Sequence, residues 1–132
     1  MQLYLLIGLG GALGSMLRYF LNGVISNRLG ETFPWGTLAI NVTGSFVIGV
    51  IATLTGTGGR WFASPETRFF LMTGICGGYT TFSSFSLQTL NLALGGEWLG
   101  AGMNILLSVV LCLLGVWAGH GLALWINGLE GA

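Results

Sequence analysis

Gly74-Ile75-Cys76-Gly77-Gly78-Tyr79-Thr80-Thr81-Phe82-Ser83-Ser84-Phe85 is the stretch on which the reading of this chain turns. It lies inside an uncharged run from Phe69 to Gly96, long enough to cross a bilayer as a helix. A plain apolar helix needs neither the paired glycines nor the paired threonines. Each glycine costs a helix interior about 1 kcal/mol relative to alanine, and adjacent β-branched threonines lose χ1 freedom. One reading is a straight helix whose glycines allow close packing. The other is a break, which frees N–H and C=O groups at membrane depth. Such groups are tolerated only where the backbone is buried in protein or lines a polar path. The stretch is taken as a discontinuous helix with a site built on its broken ends.

Composition sets the frame. Of 132 residues, 53% are hydrophobic and 6% are charged, and the mean hydropathy is +0.83. A soluble domain carries about 25% charge. The chain therefore reads as an all-α integral membrane protein. Its 24 glycines suit closely packed membrane helices. Net charge is zero, and Lys and Asp are absent, so there is no basic patch to hold nucleic acid. Cys76 and Cys112 lie in apolar runs and read as small apolar residues, since no His or carboxylate cluster accompanies them. The first apolar run lacks the positive flank of a signal peptide and is read as a retained span.

Working outward, the chain divides into four transmembrane spans in one domain, 1–132. They run from about Leu3 to Ile25, Trp35 to Leu54, Glu66 to Leu94 and Trp98 to Ile126, with the third broken mid-membrane. In the first span, Gly10-x-x-x-Gly14 and Gly11-x-x-x-Ser15 place small residues on adjoining faces for helix contact. Arg18 lies about 22 Å along that helix from Leu3. It reads either as a snorkelling interfacial side chain or as a cation lining a vestibule that attracts anions.

Two spans carry polar stripes. Thr37, Asn41 and Ser45 fall at i, i+4 and i+8 in the second. Asn104, Ser108 and Cys112 repeat that spacing in the fourth. Asn41 near mid-bilayer needs partners for its amide, either across a helix contact or facing a conduction path. His120 lies toward the far end of the fourth span and reads as interfacial, because no carboxylate stands within that span. The glycine-rich loop from Thr55 to Pro65 resembles a phosphate cradle only superficially, since no lysine follows and no strand precedes it. Ser64-Pro65-Glu66 is a helix start, with Ser as N-cap and Pro at the first position.

Four spans put Arg60 and Arg68 at one face of the membrane and Arg18 and Arg28 at the other. The orientation of a membrane chain follows the Lys/Arg bias of its short loops. Two against two leaves no bias, so the chain inserts both ways up. An antiparallel homodimer with a closed two-fold interface follows.

These pieces resemble the CrcB/Fluc fluoride channel family. The matching segments are Gly10 to Gly14 with Leu17-Arg18-Tyr19, then Gly36-Thr37-Leu38 and Asn41-Val42-Thr43-Gly44-Ser45-Phe46, then Gly74 to Ser86. The resemblance covers the whole chain, and its Gly-Gly-x-Thr-Thr-Phe-Ser-x-Phe segment is the most specific part. It implies an antiparallel dual-topology homodimer in the inner or plasma membrane, with two fluoride pores. It implies a structural sodium ion on the two-fold axis, held by the main-chain carbonyls of Gly77 and Thr80. It also implies a fluoride pathway along Asn41, Phe82, Phe85, Ser108, Thr81 and Ser83, with Arg18 in the vestibule. Gln88 departs from the glutamate of many members, and Asn104 and Cys112 replace residues that are often Tyr and Ser.

The chemistry is consistent with these residues. Fluoride is strongly hydrated, and conduction requires binding that is favourable on entry and weak on exit. The neutral donors are the Asn41 amide and the hydroxyls of Thr81, Ser83 and Ser108. Phe82 and Phe85 share a helix face, and an aromatic edge carries positive potential; core packing is the other account of that pair. The expected activity is passive, fluoride-selective export that lowers cytoplasmic fluoride. The alternative is a small dual-topology proton-coupled exporter, which needs an intramembrane carboxylate. Glu31, Glu66, Glu97 and Glu130 all lie at loops or span ends. An inert assembly subunit sits poorly with polar stripes beside a broken helix. An enzyme lacks any nucleophile–base pair.

Overall fold

The computed structural model describes residues 1–128, so Glu130 lies outside the described residues. Among the described residues, the regular structure is entirely helical. Helix α1 (Gln2–Leu29) has 28 residues, α2 (Trp35–Leu54) has 20 and α6 (Trp98–Gly128) has 31. All three are long and apolar enough to cross a membrane; 20 residues already reach about 30 Å. The second span begins and ends as expected, whereas the first continues past Ile25 to Leu29. Gly30, at φ 83°, turns the chain there.

The third span is built from pieces. Ser64 caps α3 (Pro65–Arg68) by accepting the Thr67 N–H. A π-helical turn pair, Phe69–Cys76, and a short α4 (Gly77–Tyr79) continue it. Thr80 and Thr81 are extended, and α5 (Phe82–Leu94) then resumes the helix. The span is thus discontinuous, as expected, but the break falls on the threonines. Gly77 and Gly78 are helical. The wide π turns were not anticipated; such turns recur at functional sites.

The glycines serve close approach. A Cβ on Gly10 would sit 2.8 Å from the Phe70 carbonyl and 3.0 Å from Gly74 Cα. A Cβ on Gly14 would sit 2.7 Å from the Tyr79 nitrogen, and one on Gly78 would strike the Gly11 backbone. Backbone therefore meets backbone where α1 crosses the third span, as small-residue spacing in membranes permits. The same device joins α2 to α6: a Cβ on Gly115 would lie 3.0 Å from the Val42 carbonyl, and one on Gly119 would strike Phe46.

The loop after α2 is tied to the end of α6. Arg60 donates its backbone N–H to Asn127 Oδ1 at 3.1 Å and its guanidinium to the Ile126 carbonyl at 3.4 Å. His120 is exposed on α6 and meets Thr53 Oγ1 through Nδ1 at 2.7 Å. Thr53 spends its own hydrogen on the Gly49 carbonyl, so the ring nitrogen is the donor.

Candidate ion pathway

Two adjacent extended residues create the break. Thr80 has φ −86° and ψ 158°, and Thr81 has φ −152° and ψ 116°. The Thr81 N–H would close a helical turn onto Gly77 if the helix continued. It donates instead to Asn41 Oδ1 at 2.8 Å. Asn41 Nδ2 in turn donates to the Thr81 carbonyl at 3.0 Å. One side chain from α2 thus satisfies both backbone groups of the residue at the break. Those two bonds also fix the amide orientation, since an N–H only donates and a carbonyl only accepts. Of the two roles open to Asn41, the interhelical bond is present, and Nδ2 keeps a second hydrogen for the space beside it.

Thr81 also starts α5. Its hydroxyl accepts the Ser84 N–H at 3.2 Å, as an N-cap does, and donates to Ser84 Oγ at 3.1 Å. With that hydrogen committed, Ser83 Oγ must donate to Thr81 Oγ1 across 3.2 Å. Thr80 Oγ1 donates to the Cys76 carbonyl at 2.9 Å. The hydroxyl hydrogens expected to face an anion are therefore engaged locally.

Two cavities share Thr81 as a wall. One, of 370 Å³, is lined by Arg18, Ser15, Asn22, Thr37, Ser84 and Gln88 among others. The other, of 310 Å³, is lined by Asn41, Ser45, Gly77, Thr80, Phe82 and Cys112 among others. Among the described residues, no carboxylate lines either cavity. A third space of 410 Å³ shares Asn22 and Gln88 with the first and carries Glu31 and Glu97 at its rim. Arg18 is half-buried and lines the cavity beside the break. Gln88 Oε1 is buried with no hydrogen-bond partner among the described residues. Ser15, Asn22 and Gln88 were not singled out as site residues; the available signal is that each is a polar side chain inside a membrane span.

The fourth-span stripe divides. Cys112 lines the 310 Å³ cavity. Asn104 and Ser108 turn towards α5 and are buried, at 1% and 7% exposure. Asn104 Nδ2 donates to Thr89 Oγ1 at 2.8 Å, Thr89 donates to the Phe85 carbonyl at 2.8 Å, and Ser108 donates to Asn104 Oδ1 at 3.4 Å. Thr89 is the residue that sequence reasoning missed here. Phe82 and Phe85 pack with centroids 5.1 Å apart and planes tilted by 52°. They differ sharply in cover: Phe85 is 8% exposed and Phe82 is 77% exposed.

Gly77 and Thr80 both line one cavity, and their main-chain carbonyls are the atoms that would be offered to a cation there. Neutral, hard oxygens suit a hard cation such as sodium. The diverted Thr81 N–H leaves the Gly77 carbonyl without its usual helical partner, which adds to the fit. One chain supplies only two of the ligands such an ion takes. Among the described residues there is no group of three or more His, Cys, Asp or Glu side chains.

Comparison with known proteins places the chain. Residues 5–120 match the family model described as CrcB-like protein, Camphor Resistance (CrcB). A protein of Rhodospirillum rubrum named fluoride-specific ion channel FluC is 60% identical over 124 residues, covering 94% of this chain and 96% of the relative. A protein of the same name from Opitutus terrae is 57% identical over 132 residues, 100% of both chains. Another, from Paramagnetospirillum magneticum, is 58% identical over 127 residues, 96% of this chain and 99% of the relative. With its membrane-crossing helices, the chain is a multi-pass inner-membrane protein. A matched length of this extent, joined to a broken third span held by Asn41, assigns the chain to the CrcB-like family of fluoride channels.

Proposed function

We propose that this protein is a fluoride-selective channel through which fluoride leaves the cell passively, lowering its cytoplasmic concentration. The observation that supports this reading is the pair of cavities that share Thr81 as a wall, with Arg18 in one and, among the described residues, no carboxylate in the wall of either. The names of the relatives support fluoride as the ion. Arg18 draws an anion into the vestibule. Beyond it there is no fixed charge in the walls to trap the ion, only neutral donors and ring edges. Asn41 offers its spare amide hydrogen beside the break, and Ser83, Thr81 and Ser108 offer hydroxyl groups that exchange local bonds for the ion.

The exposed Phe82 ring and the exposed Gly77 edge suit a second copy of the chain. An antiparallel homodimer covers both and brings the Gly77 and Thr80 carbonyls of two chains together. Four carbonyls then hold a structural sodium ion at the axis. Its role is tested by replacing sodium with a large organic cation: the dimer should dissociate at lower detergent concentration and fluoride flux should fall. Unchanged flux and unchanged dimer stability would remove the ion from the account.

The function itself is tested in liposomes loaded with fluoride or chloride. Purified protein should release fluoride and retain chloride, at a rate independent of an imposed pH gradient. Phe82→Ile and Asn41→Asp should each slow fluoride release by about tenfold or more, as expected for about 1.4 kcal/mol added to the crossing. A rate driven by the pH gradient would instead favour a proton-coupled exporter.

A further inference from the structure

The hydrogen positions in the α5–α6 contact follow from counting donors. Thr89 has one hydroxyl hydrogen, and it goes to the Phe85 carbonyl at 2.8 Å. Its oxygen is left only to accept. The Asn104 atom facing it at 2.8 Å must then be the amide nitrogen. That choice turns the amide oxygen towards Ser108, which points its one hydrogen at it across 3.4 Å. An ordinary hydroxyl bond spans about 2.5–3.0 Å, so this last bond is the loose one in the chain. Asn104 is 1% exposed and Ser108 is 7% exposed, so bulk water does not compete for either.

We infer that Asn104 is a positioning residue that sets how readily Ser108 gives its hydrogen to a passing anion, with Thr89 fixing which end of the Asn104 amide faces Ser108. The inference rests on the reading of Ser108 as part of the fluoride path. A hydroxyl serves an anion only with a hydrogen it can release. Were Ser108 wholly free, it would hold fluoride firmly. Were it bound at a short distance, it would not respond. The 3.4 Å bond lies between these cases, so the hydrogen is parked on Asn104 and lent to the ion in transit. Asn104 acts through Ser108: its Oδ1 accepts the serine hydrogen while its Nδ2 donates to Thr89. Thr89 acts at one further remove. Without its hydroxyl, the Asn104 amide is free to turn, and with its NH₂ end towards Ser108 it no longer accepts the serine hydrogen. The same chain of bonds ends on the main-chain carbonyl of Phe85.

The experiment measures fluoride flux from proteoliposomes across a range of fluoride concentrations, using the full-length protein. Thr89→Val, Thr89→Ser and Asn104→Leu are compared with wild type, each with and without Ser108→Ala. Thr89→Val and Asn104→Leu should each lower the half-saturating fluoride concentration about threefold, the size of a modest hydrogen-bond gain. Thr89→Ser, which keeps the hydroxyl, should restore the wild-type value. Neither shift should survive in the Ser108→Ala background. A purely structural role would leave the same shift with or without Ser108, and that result overturns the inference. If Ser108→Ala alters the flux while Thr89→Val and Asn104→Leu do not move the half-saturation, the inference fails and the pathway reading stands. If Ser108→Ala itself leaves the flux unchanged, the pathway reading fails at Ser108 and the inference falls with it. Should Thr89→Val not assemble, Asn104→Leu, which nearly keeps the side-chain volume, reads the same comparison.

Discussion

The stripes Thr37-Asn41-Ser45 and Asn104-Ser108-Cys112 have the same spacing and opposite fates. The α2 stripe opens onto space: Thr37 lines the cavity with Arg18, and Asn41 and Ser45 line the next. The α6 stripe turns largely to protein: Asn104 and Ser108 bond each other and Asn104 bonds Thr89, while Cys112 lines a cavity. What separates them is the neighbour. The α2 stripe faces the point where the third span has given up its own hydrogen bonds, and an amide there is needed by backbone. The α6 stripe faces an intact helix, where the free partners are side-chain hydroxyls. Equal periodicity thus gives a structural clamp beside a cavity in one place and a buried relay in the other.

The harshest way to break this comparison is at Asn41. Asn41→Leu keeps the volume and removes both bonds to Thr81, leaving a donor and an acceptor at the break without protein partners. We expect a loss of about 2–4 kcal/mol, each stranded group costing about 1–3 kcal/mol less what cavity water restores. Thermal unfolding in detergent measures it, and fluoride flux should vanish alongside. An unaltered melting temperature would mean that the clamp is not what holds the two halves of the third span in register.

A second comparison sets Ser108→Ala against Ser45→Ala. Removing the Ser108 hydroxyl strands Asn104 Oδ1 in a fully buried site, so stability should fall by about 1–3 kcal/mol. Ser45 borders an open cavity, so its loss should cost less than about 0.5 kcal/mol, in the range of surface changes. Equal costs for the two serines would erase the distinction between a relay and a cavity wall.

The sequence shows why these two stripes could not be told apart in advance. The break was legible because paired glycines followed by paired threonines are not needed in a plain apolar helix, and membrane physics leaves few ways to satisfy the freed groups; that Thr81 caps the restart was not. The small-residue faces of α1 were legible because backbone contact demands glycine at fixed spacing, and Gly10 and Gly14 meet the third span as that demand requires. The role of Asn41 was only half legible: an amide at mid-membrane needs partners, but its partner, the Thr81 backbone, is 40 positions away and carries no side-chain signature. The π turns at Phe69–Cys76 left no mark in residue type. Thr89 was invisible because a threonine bonded to its own i−4 carbonyl looks like any helical threonine until Asn104 arrives beside it.

The smallest effect is expected where the two stripes touch the same space. Cys112 and Ser45 line one cavity from opposite helices, and that cavity also holds Asn41 and Phe82. A thiol is a weak donor and a hydroxyl a good one, so Cys112→Ser adds a donor to the α6 side without disturbing the buried relay one turn away. Because the position is only half-buried, the added group does not strand a polar atom, and stability should change little. One extra neutral hydrogen bond to an ion that already has several should lower the half-saturating fluoride concentration about twofold, near the low end of a net hydrogen-bond contribution. The maximal rate should hold or drop slightly, since a tighter site also releases its ion more slowly. A shift of half-saturation in flux assays, with an unchanged melting curve, would place the α6 stripe on the path at its cavity end. No shift at all would leave the α2 side and the rings as the only contacts that the ion makes there.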